Sequence, residues 1–180
     1  MTIDIGKLKA RWGWTSLLAL VVMGALWAID TSIIARSGQG IMQWEAARNA
    51  PEMNRLISAW IATGAAPRMA FLLGLDYLYM PSYGFALFYG TLAAREAFAR
   101  RPGAARRLLT TLAFAPLVGA VFDVFENAFE AKMLFAGSVS PQLASIAYAT
   151  TMMKFAFIAI GLACSLAAIV GLFMGRLKRP

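Results

Sequence analysis

Four polar residues follow one another at helical spacing inside a hydrophobic segment that is long enough to cross a membrane. The segment runs from Leu108 to about Leu134, and the four residues are Asp123, Glu126, Asn127 and Glu130. Their i, i+3, i+4, i+7 spacing places all four on one face of a helix. A carboxylate near hydrocarbon costs about 2.5–3.5 kcal/mol on insertion scales, so this face must contact protein, water or a ligand. The pattern therefore predicts a buried polar site.

Charged residues on the neighbouring hydrophobic segments are candidate partners for this polar face, above all Asp76 and Lys154. Three carboxyl groups, on Asp76, Asp123 and Glu126, outnumber the single intramembrane lysine. At least one of them should therefore be protonated, or be paired with a cation, an arginine such as Arg68, or a ligand. An ion pair between Asp123 and Lys154 that only fixes the register of two helices is the structural alternative.

These residue types suggest roles in a reaction or in binding. In a reaction, Asp123 or Glu126 would donate or accept a proton, and Lys154 would stabilise negative charge. The residues expected to contact a bound molecule are Asp76, Tyr83, Asn127, Glu130 and Thr151. No metal ion or cofactor is expected. The chain has no histidine and a single cysteine, Cys164, which excludes a Cys/His zinc site and haem held by histidine.

The composition is too apolar for an ordinary soluble domain, with 60% hydrophobic residues and a mean hydropathy of +0.64. Four apolar segments each reach the roughly 20 residues needed to span a bilayer. They cover about residues 13–35, 69–93, 108–134 and 142–174. The predicted fold class is all-α, with residues 1–180 forming a single membrane domain built as a four-helix bundle. The first segment lacks an A-x-A cleavage site, so we expect it to remain as a helix.

The net charge of +8 is concentrated between the hydrophobic segments and at the chain ends. Eleven of the 17 lysine and arginine residues fall in three clusters: Lys7, Lys9 and Arg11; Arg95, Arg100, Arg101, Arg106 and Arg107; and Arg176, Lys178 and Arg179. This is the positive-inside pattern of a membrane protein, and we expect no nucleic-acid partner. It predicts that both termini and the 95–107 loop are cytoplasmic. Anionic lipid headgroups could also bind the clusters.

The segment between the first two spans, residues 36–68, contains the pattern of an amphipathic helix. Pro51 suits the first turn of a helix, and Asn49 is a candidate cap. The apolar residues at helical spacing are Met53, Leu56, Ile57, Trp60 and Ile61. We predict a helix over about 51–63, ended by Gly64, that lies on the outer membrane surface or caps the bundle. Trp60, Tyr77 and Tyr79 are expected in the aromatic belt.

Other residues in or near the spans receive structural interpretations. Asp30, beside Arg36, is expected to mark the end of the first helix. Glu130, near Lys132, is expected to be solvated at the interface. The predicted orientation places all intramembrane charges in the outer half of the bundle, which would suit a cavity that opens to the outer face. Two further features are Pro116, which frees the carbonyl of Leu112 on the third span, and the small-residue pattern Gly171-x-x-x-Gly175, which could pack against a partner helix.

The polar residues of three successive spans resemble those of a group of small bacterial four-helix membrane proteins. The resemblance rests on Asp76-x4-Pro81-x-Tyr83, on Phe122-Asp123-x-x-Glu126-Asn127 and on the lone Lys154, and it covers about residues 69–165. The group has no established activity, so the resemblance implies an architecture and site positions without a function. It also implies a multi-pass protein of the bacterial inner membrane.

Three functions are compatible with these features. The favoured hypothesis is an inner-membrane protein that binds a lipid, an isoprenoid or another small amphipathic molecule at the polar site, with or without acid–base chemistry. The second is an accessory subunit of a larger membrane complex or of a homo-oligomer, in which the charges form a structural network. The third is a proton or cation pathway, although the cytoplasmic halves of the spans offer no polar relay.

Overall fold

The computed structural model describes residues 4–99 and 102–177, and this part of the chain contains seven α-helices and no strand. The helices are α1 (Ile5–Ser37), α2 (Ile41–Ala46), α3 (Ala50–Ala62), α4 (Ala66–Phe98), α5 (Ala104–Leu112), α6 (Ala115–Ala136) and α7 (Pro141–Phe173). The prediction of an all-α fold is confirmed. Of the predicted basic clusters, Arg100, Arg101, Lys178 and Arg179 lie outside the described residues.

Three helical segments of the described chain are long and apolar enough to cross a membrane. They are α1, α7, and α5 with α6 taken together as Ala104–Ala136. The helix α4 meets the same criterion only in combination with α3, to which it is joined at a bend of 115°. Its sequence includes Arg68, Asp76 and four tyrosines, which lower its hydropathy. Three apolar segments, or four if the bent pair is one span, indicate a multi-pass membrane protein.

The third predicted span is divided at Ala113 and Phe114 instead of forming one uninterrupted helix. Pro116 explains the division, because proline has no backbone N–H and its ring prevents a helical bond to Leu112. In the structure Pro116 lies in the first turn of α6, where a missing N–H costs nothing. The N–H of Phe114 instead bonds to the carbonyl of Thr111 at 3.1 Å, in a tight turn.

The chain divides into two compact units, each assembled from segments that are distant in the sequence. Unit 1 comprises Met1–Leu20, Pro81–Val121 and Lys154–Pro180, and unit 2 comprises Val21–Met80 and Phe122–Met153. Each unit has its own cluster of buried apolar residues. In unit 1 the cluster is formed by Leu8, Leu92, Ala93, Ala94, Ala97, Ala113, Ala168 and Leu177.

Within unit 1, Gly171 lies in the close contact between α7 and α4. A Cβ atom added to Gly171 would lie 2.6 Å from the Cβ of Ala97. The pattern Gly171-x-x-x-Gly175 is therefore not the partner-binding helix face that the sequence suggested, because α4 already covers Gly171. Gly175 follows the end of α7 with φ +68°, a left-handed conformation that favours glycine after a helix.

We expect Gly171→Ala to lower the free energy of unfolding by about 1–3 kcal/mol, because its Cβ would push α4 and α7 apart. The same substitution at Gly74 of α4 provides a control, since a Cβ there would meet no atom within 4 Å. Gly74→Ala is expected to raise the free energy of unfolding by about 0.4–1 kcal/mol. Denaturant titration in mixed micelles measures both values. If both substitutions changed the free energy of unfolding in the same direction, the close contact between α4 and α7 at Gly171 would be contradicted.

The predicted start and end of the helix after Pro51 are confirmed in unit 2. The Asn49 side chain accepts the N–H of Glu52 at 3.0 Å, and Gly64 follows the end of α3 with φ +67°. Four of the five apolar stripe residues are buried in the unit 2 core, namely Met53, Leu56, Ile57 and Trp60. Ile61 is exposed. The apolar face of α3 thus packs against protein.

Trp60 is fully buried, so the prediction that it belongs to an aromatic belt is wrong. Its ring stacks on that of Trp44 with centroids 4.7 Å apart, and its indole N–H donates to the carbonyl of Gln39 at 2.9 Å. Trp44 lies on α2, a short helix that no sequence pattern predicted. The two rings hold α2 and α3 together because each covers a face of the other.

Asp30 does not mark the end of the first helix, since α1 continues to Ser37. Its carboxylate is buried and accepts the N–H of Ile41 at 2.8 Å, at the first residue of α2. A Cβ on Gly40 would lie 2.6 Å from Oδ1 of Asp30, so only glycine leaves room for this contact. Asp30 therefore positions α2, which explains why a carboxylate is tolerated here.

The Asn54 side chain joins α3 to the turn between α6 and α7 by two hydrogen bonds. Its amide nitrogen donates to the carbonyl of Val139 at 3.2 Å, and its amide oxygen accepts the N–H of Val139 at 2.9 Å. The side chain thus satisfies both backbone groups of a buried residue, which would otherwise lack partners. This pair and the stacked tryptophans fix the segment between α1 and α4 on the unit 2 core.

The pKa of Glu52 predicts a pH-dependent contribution to the stability of α3. The backbone N–H of Arg48 bonds to the Glu52 carboxylate at 2.9 Å, and this bond, assisted by Asn49, lowers the pKa of Glu52 below its ordinary 4.5. Because the pKa of Glu52 is lower in the folded state, its charge stabilises the folded protein at pH values above the pKa of Glu52 in the unfolded state. The stabilisation is lost as pH falls through the folded pKa.

We therefore expect the unfolding midpoints of the wild type and of Glu52→Gln to differ most near pH 6. The difference should shrink as the pH is lowered to about 3, because the wild-type carboxylate becomes protonated. Thermal unfolding followed by circular dichroism over this range measures the difference. A constant difference at every pH would show that the Glu52 charge does not contribute.

Candidate functional site

The helix α6 has its polar face buried and its apolar face exposed. The four polar stripe residues are at most 3% exposed, whereas Val124 and Phe125 between them are 40% and 53% exposed. A helix of a water-soluble protein shows the opposite distribution. The inversion fits a helix that faces hydrocarbon on one side and a polar protein interior on the other. The stripe residues Asp123, Glu126, Asn127 and Glu130 all belong to unit 2.

Asn127 connects the polar face of α6 to α4. Its amide nitrogen donates to Oδ2 of Asp76 at 2.9 Å and to the carbonyl of Leu73 at 3.2 Å. Both amide hydrogens are therefore used, and Asn127 is a hydrogen-bond donor between two helices. Asp76 is only half-buried, so this end of the network reaches the edge of the protein interior.

Glu126 connects the same face of α6 to α7. Its Oε1 atom lies 2.7 Å from the hydroxyl of Thr151, which also lies 2.9 Å from the carbonyl of Ala147 one turn earlier in α7. Glu126 is completely buried and Thr151 is 2% exposed. A hydroxyl bond to a buried carboxyl group offsets part of the cost of removing that group from water.

The expectation that Glu130 is solvated at the interface is wrong. Glu130 is 2% exposed, while Lys132, two residues further along α6, is exposed. The helical stripe accounts for this difference, because position 130 continues the buried face and position 132 turns away from it. Helical spacing, and not the nearby lysine, therefore decides the burial of Glu130.

Unit 2 brings four of the eight predicted site residues together through two hydrogen bonds. These four, which we call the polar cluster, are Asp76, Glu126, Asn127 and Thr151. Asp123 and Glu130 share the buried face of α6 with the cluster. Lys154 and Tyr83 are also buried but belong to unit 1, where the Lys154 Nζ lies 4.9 Å from the ring centroid of Phe155.

Sequence reasoning missed some polar groups of unit 2. The carbonyl of Leu73 receives a bond from Asn127 although no proline frees it, so no sequence signal marks it as an acceptor. Trp44 has a buried indole N–H with no hydrogen-bond partner. In residues 4–99 and 102–177, no three acidic or cysteine side chains are arranged to hold a metal ion.

Comparison of this chain with protein-family models, curated proteins and solved structures finds no match. The resemblance to small bacterial four-helix proteins therefore stays a prediction.

Proposed function

We propose that this chain is a multi-pass protein of the bacterial inner membrane that binds a small amphipathic molecule, such as a lipid or an isoprenoid, at the polar cluster. The observation that carries the proposal is the inverted helix α6, whose fully buried carboxyl and amide groups bond to both α4 and α7. Burying ionisable groups in a membrane-spanning helix is costly, and such groups usually serve a function.

The proposed architecture is a four-helix bundle in which α1, α4, α5 with α6, and α7 cross the membrane. In this architecture α3 lies at the outer interface, and the basic clusters lie on the cytoplasmic side. The polar cluster would then lie in the outer half of the bundle. The bend of 115° between α3 and α4, together with the polar outer residues Glu52 and Arg55, supports an interfacial position for α3.

The polar cluster offers groups that suit the head of an amphipathic molecule. Asp76 is its half-buried member, and carboxyl, amide and hydroxyl groups can together donate and accept hydrogen bonds. The exposed side chains that follow Asp76 in α4, Tyr77 and Leu78, would contact the acyl or isoprenoid chain. In a catalytic form, Asp123 or Glu126 would exchange a proton with the bound head group.

A photoreactive lipid probe tests the proposal. Membranes containing the full-length protein are labelled with diazirine derivatives of a fatty alcohol and of farnesol, and the labelled peptides are mapped. We expect labelling near Asp76 and on α6, and a loss of most of it in Asn127→Leu, which removes the bonds to Asp76 and Leu73.

Asn54→Leu is the matched control, because it also removes one asparagine with two hydrogen bonds in unit 2, and both bonds go to Val139, which is not part of the polar cluster. Labelling should survive in this variant. If both variants lost labelling equally, the loss would reflect reduced stability of unit 2 and not the removal of a binding group from the polar cluster. Unchanged labelling in Asn127→Leu would mean that the cluster does not bind the probe.

A further inference from the structure

The two units differ strongly in their charge. Unit 1 contains 12 of the 17 basic residues but only two of the nine acidic ones, which gives a formal net charge of +10. Unit 2 contains the remaining five basic and seven acidic residues, for a net charge of −2. The excess positive charge of the protein is therefore confined to unit 1.

Three segments of unit 1 that carry basic residues meet in its hydrophobic core. Leu8, Ala94 and Leu177 are all buried in the same apolar cluster. Each of them is next in sequence to basic side chains, which are Lys7 and Lys9, Arg95, and Arg176. The fold thus gathers charges from three separate parts of the chain, a region that we call the basic end.

The two acidic residues of unit 1 are occupied by local contacts. Asp4 accepts the N–H of Gly6 at 2.8 Å, at the start of α1. Glu96 forms ion pairs with Arg95 at 2.6 Å and with Arg106 at 2.9 Å. The group of Glu96 with its two arginines keeps one positive charge. The basic end therefore retains a large positive excess that an anion could neutralise.

Arg107 also belongs to the basic end, because it follows Arg106, which pairs with Glu96 beside Arg95. Arg107 and Arg176 both lie beside exposed apolar side chains. Arg107 is exposed next to Leu108, which is 58% exposed. The Arg176 guanidinium lies 5.0 Å from the ring centroid of Phe98, which is also exposed. Arginine next to exposed apolar surface is typical of the boundary between hydrocarbon and headgroups. An anion that binds here would carry its own apolar chains.

We propose that the basic end of unit 1 binds the phosphate of an anionic phospholipid, with Arg107 and Arg176 as its main contacts. A free phosphate ion would share the charge but not the contacts with Leu108 and Phe98. The site shares no residue with the polar cluster and does not depend on its function.

The test measures lipid retention by native mass spectrometry, with the full-length protein in an uncharged detergent. We expect the wild type to retain phosphatidylglycerol in preference to phosphatidylcholine. The double variant Arg107→Gln/Arg176→Gln should bind phosphatidylglycerol about 25-fold more weakly, because each arginine near an anionic surface contributes about fivefold. The control Arg48→Gln/Arg55→Gln removes two exposed arginines from unit 2 and should bind as the wild type does.

Three outcomes would overturn this proposal. Equal retention of the two lipids by the wild type would exclude a site for anionic headgroups, whatever the stability of the variants. Equal weakening in the control variant would show that total charge matters and not the basic end. Displacement of the lipid by an equal concentration of inorganic phosphate would assign the site to a free ion.

Discussion

Trp60→Ala is expected to lower the free energy of unfolding by about 3–5 kcal/mol. Trp60 is completely buried, stacks on Trp44 and donates its indole N–H to the carbonyl of Gln39. The substitution removes all three contributions at once and leaves a cavity in the core of unit 2. Chemical unfolding in micelles measures the loss.

Trp27→Ala provides the matched control for this substitution. Trp27 belongs to α1 in the same unit, but its side chain is 75% exposed. We expect a change within about 0.5 kcal/mol, because no packed core is disturbed. A loss of similar size for the two tryptophans would contradict the conclusion that Trp60 lies inside the protein.

Thr151→Val is expected to destabilise the protein by about 1.5–3 kcal/mol and to weaken binding at the polar cluster. Valine keeps the shape of threonine but removes the hydroxyl that lies 2.7 Å from Oε1 of Glu126. Glu126 would then remain buried without this contact, and the cost of burying it would be less well offset. Unfolding experiments and labelling by the lipid probe measure the two effects.

Thr150→Val is the matched control for Thr151→Val. It shows whether a valine in this part of α7 lowers stability or labelling even where the hydroxyl does not contact Glu126. The Thr150 hydroxyl bonds to backbone carbonyls of its own helix, at 2.7 Å from Ala147 and 3.2 Å from Ile146. We expect a change below about 0.5 kcal/mol and normal labelling. If the two variants behaved alike, the bond between Thr151 and Glu126 would have no part in the cluster.

The helical spacing of the polar residues was sufficient to predict the buried face of α6. Asp123, Glu126, Asn127 and Glu130 follow the i, i+3, i+4, i+7 rule, and the structure buries all four. Local signals also predicted the start of α3, because a capping asparagine and a proline in the first turn act within a few residues.

The structure of the segment between α1 and α4 could not be predicted in the same way. The side chain of Asp30 bonds to the first residue of α2, which is 11 residues away in the sequence, and the side chain of Asn54 bonds to Val139, which is 85 residues away. Such contacts depend on the tertiary fold and leave no periodic pattern in the sequence. The same reason explains why the sequence alone suggests an aromatic belt for Trp60, since its partner Trp44 lies on a helix that no sequence pattern predicts.

The break before α6 shows how position decides the effect of a proline. Within a continuous span, Pro116 would leave the carbonyl of Leu112 without its helical partner. The structure instead ends α5 at Leu112 and begins α6 at Ala115. Sequence alone does not distinguish a kinked helix from two helices in succession, because both satisfy the same hydrophobic pattern.

Native mass spectrometry of the protein, extracted under mild conditions from its own membrane, tests most directly whether the buried polar face binds a molecule. We predict one discrete small mass bound to the wild type and its loss in Asp123→Asn, which replaces a carboxyl group on that face by an amide of the same shape. A small mass that persists in Asp123→Asn would contradict binding at this face. The absence of any small mass, with larger subunits bound in fixed ratio, would instead identify a component of a membrane complex.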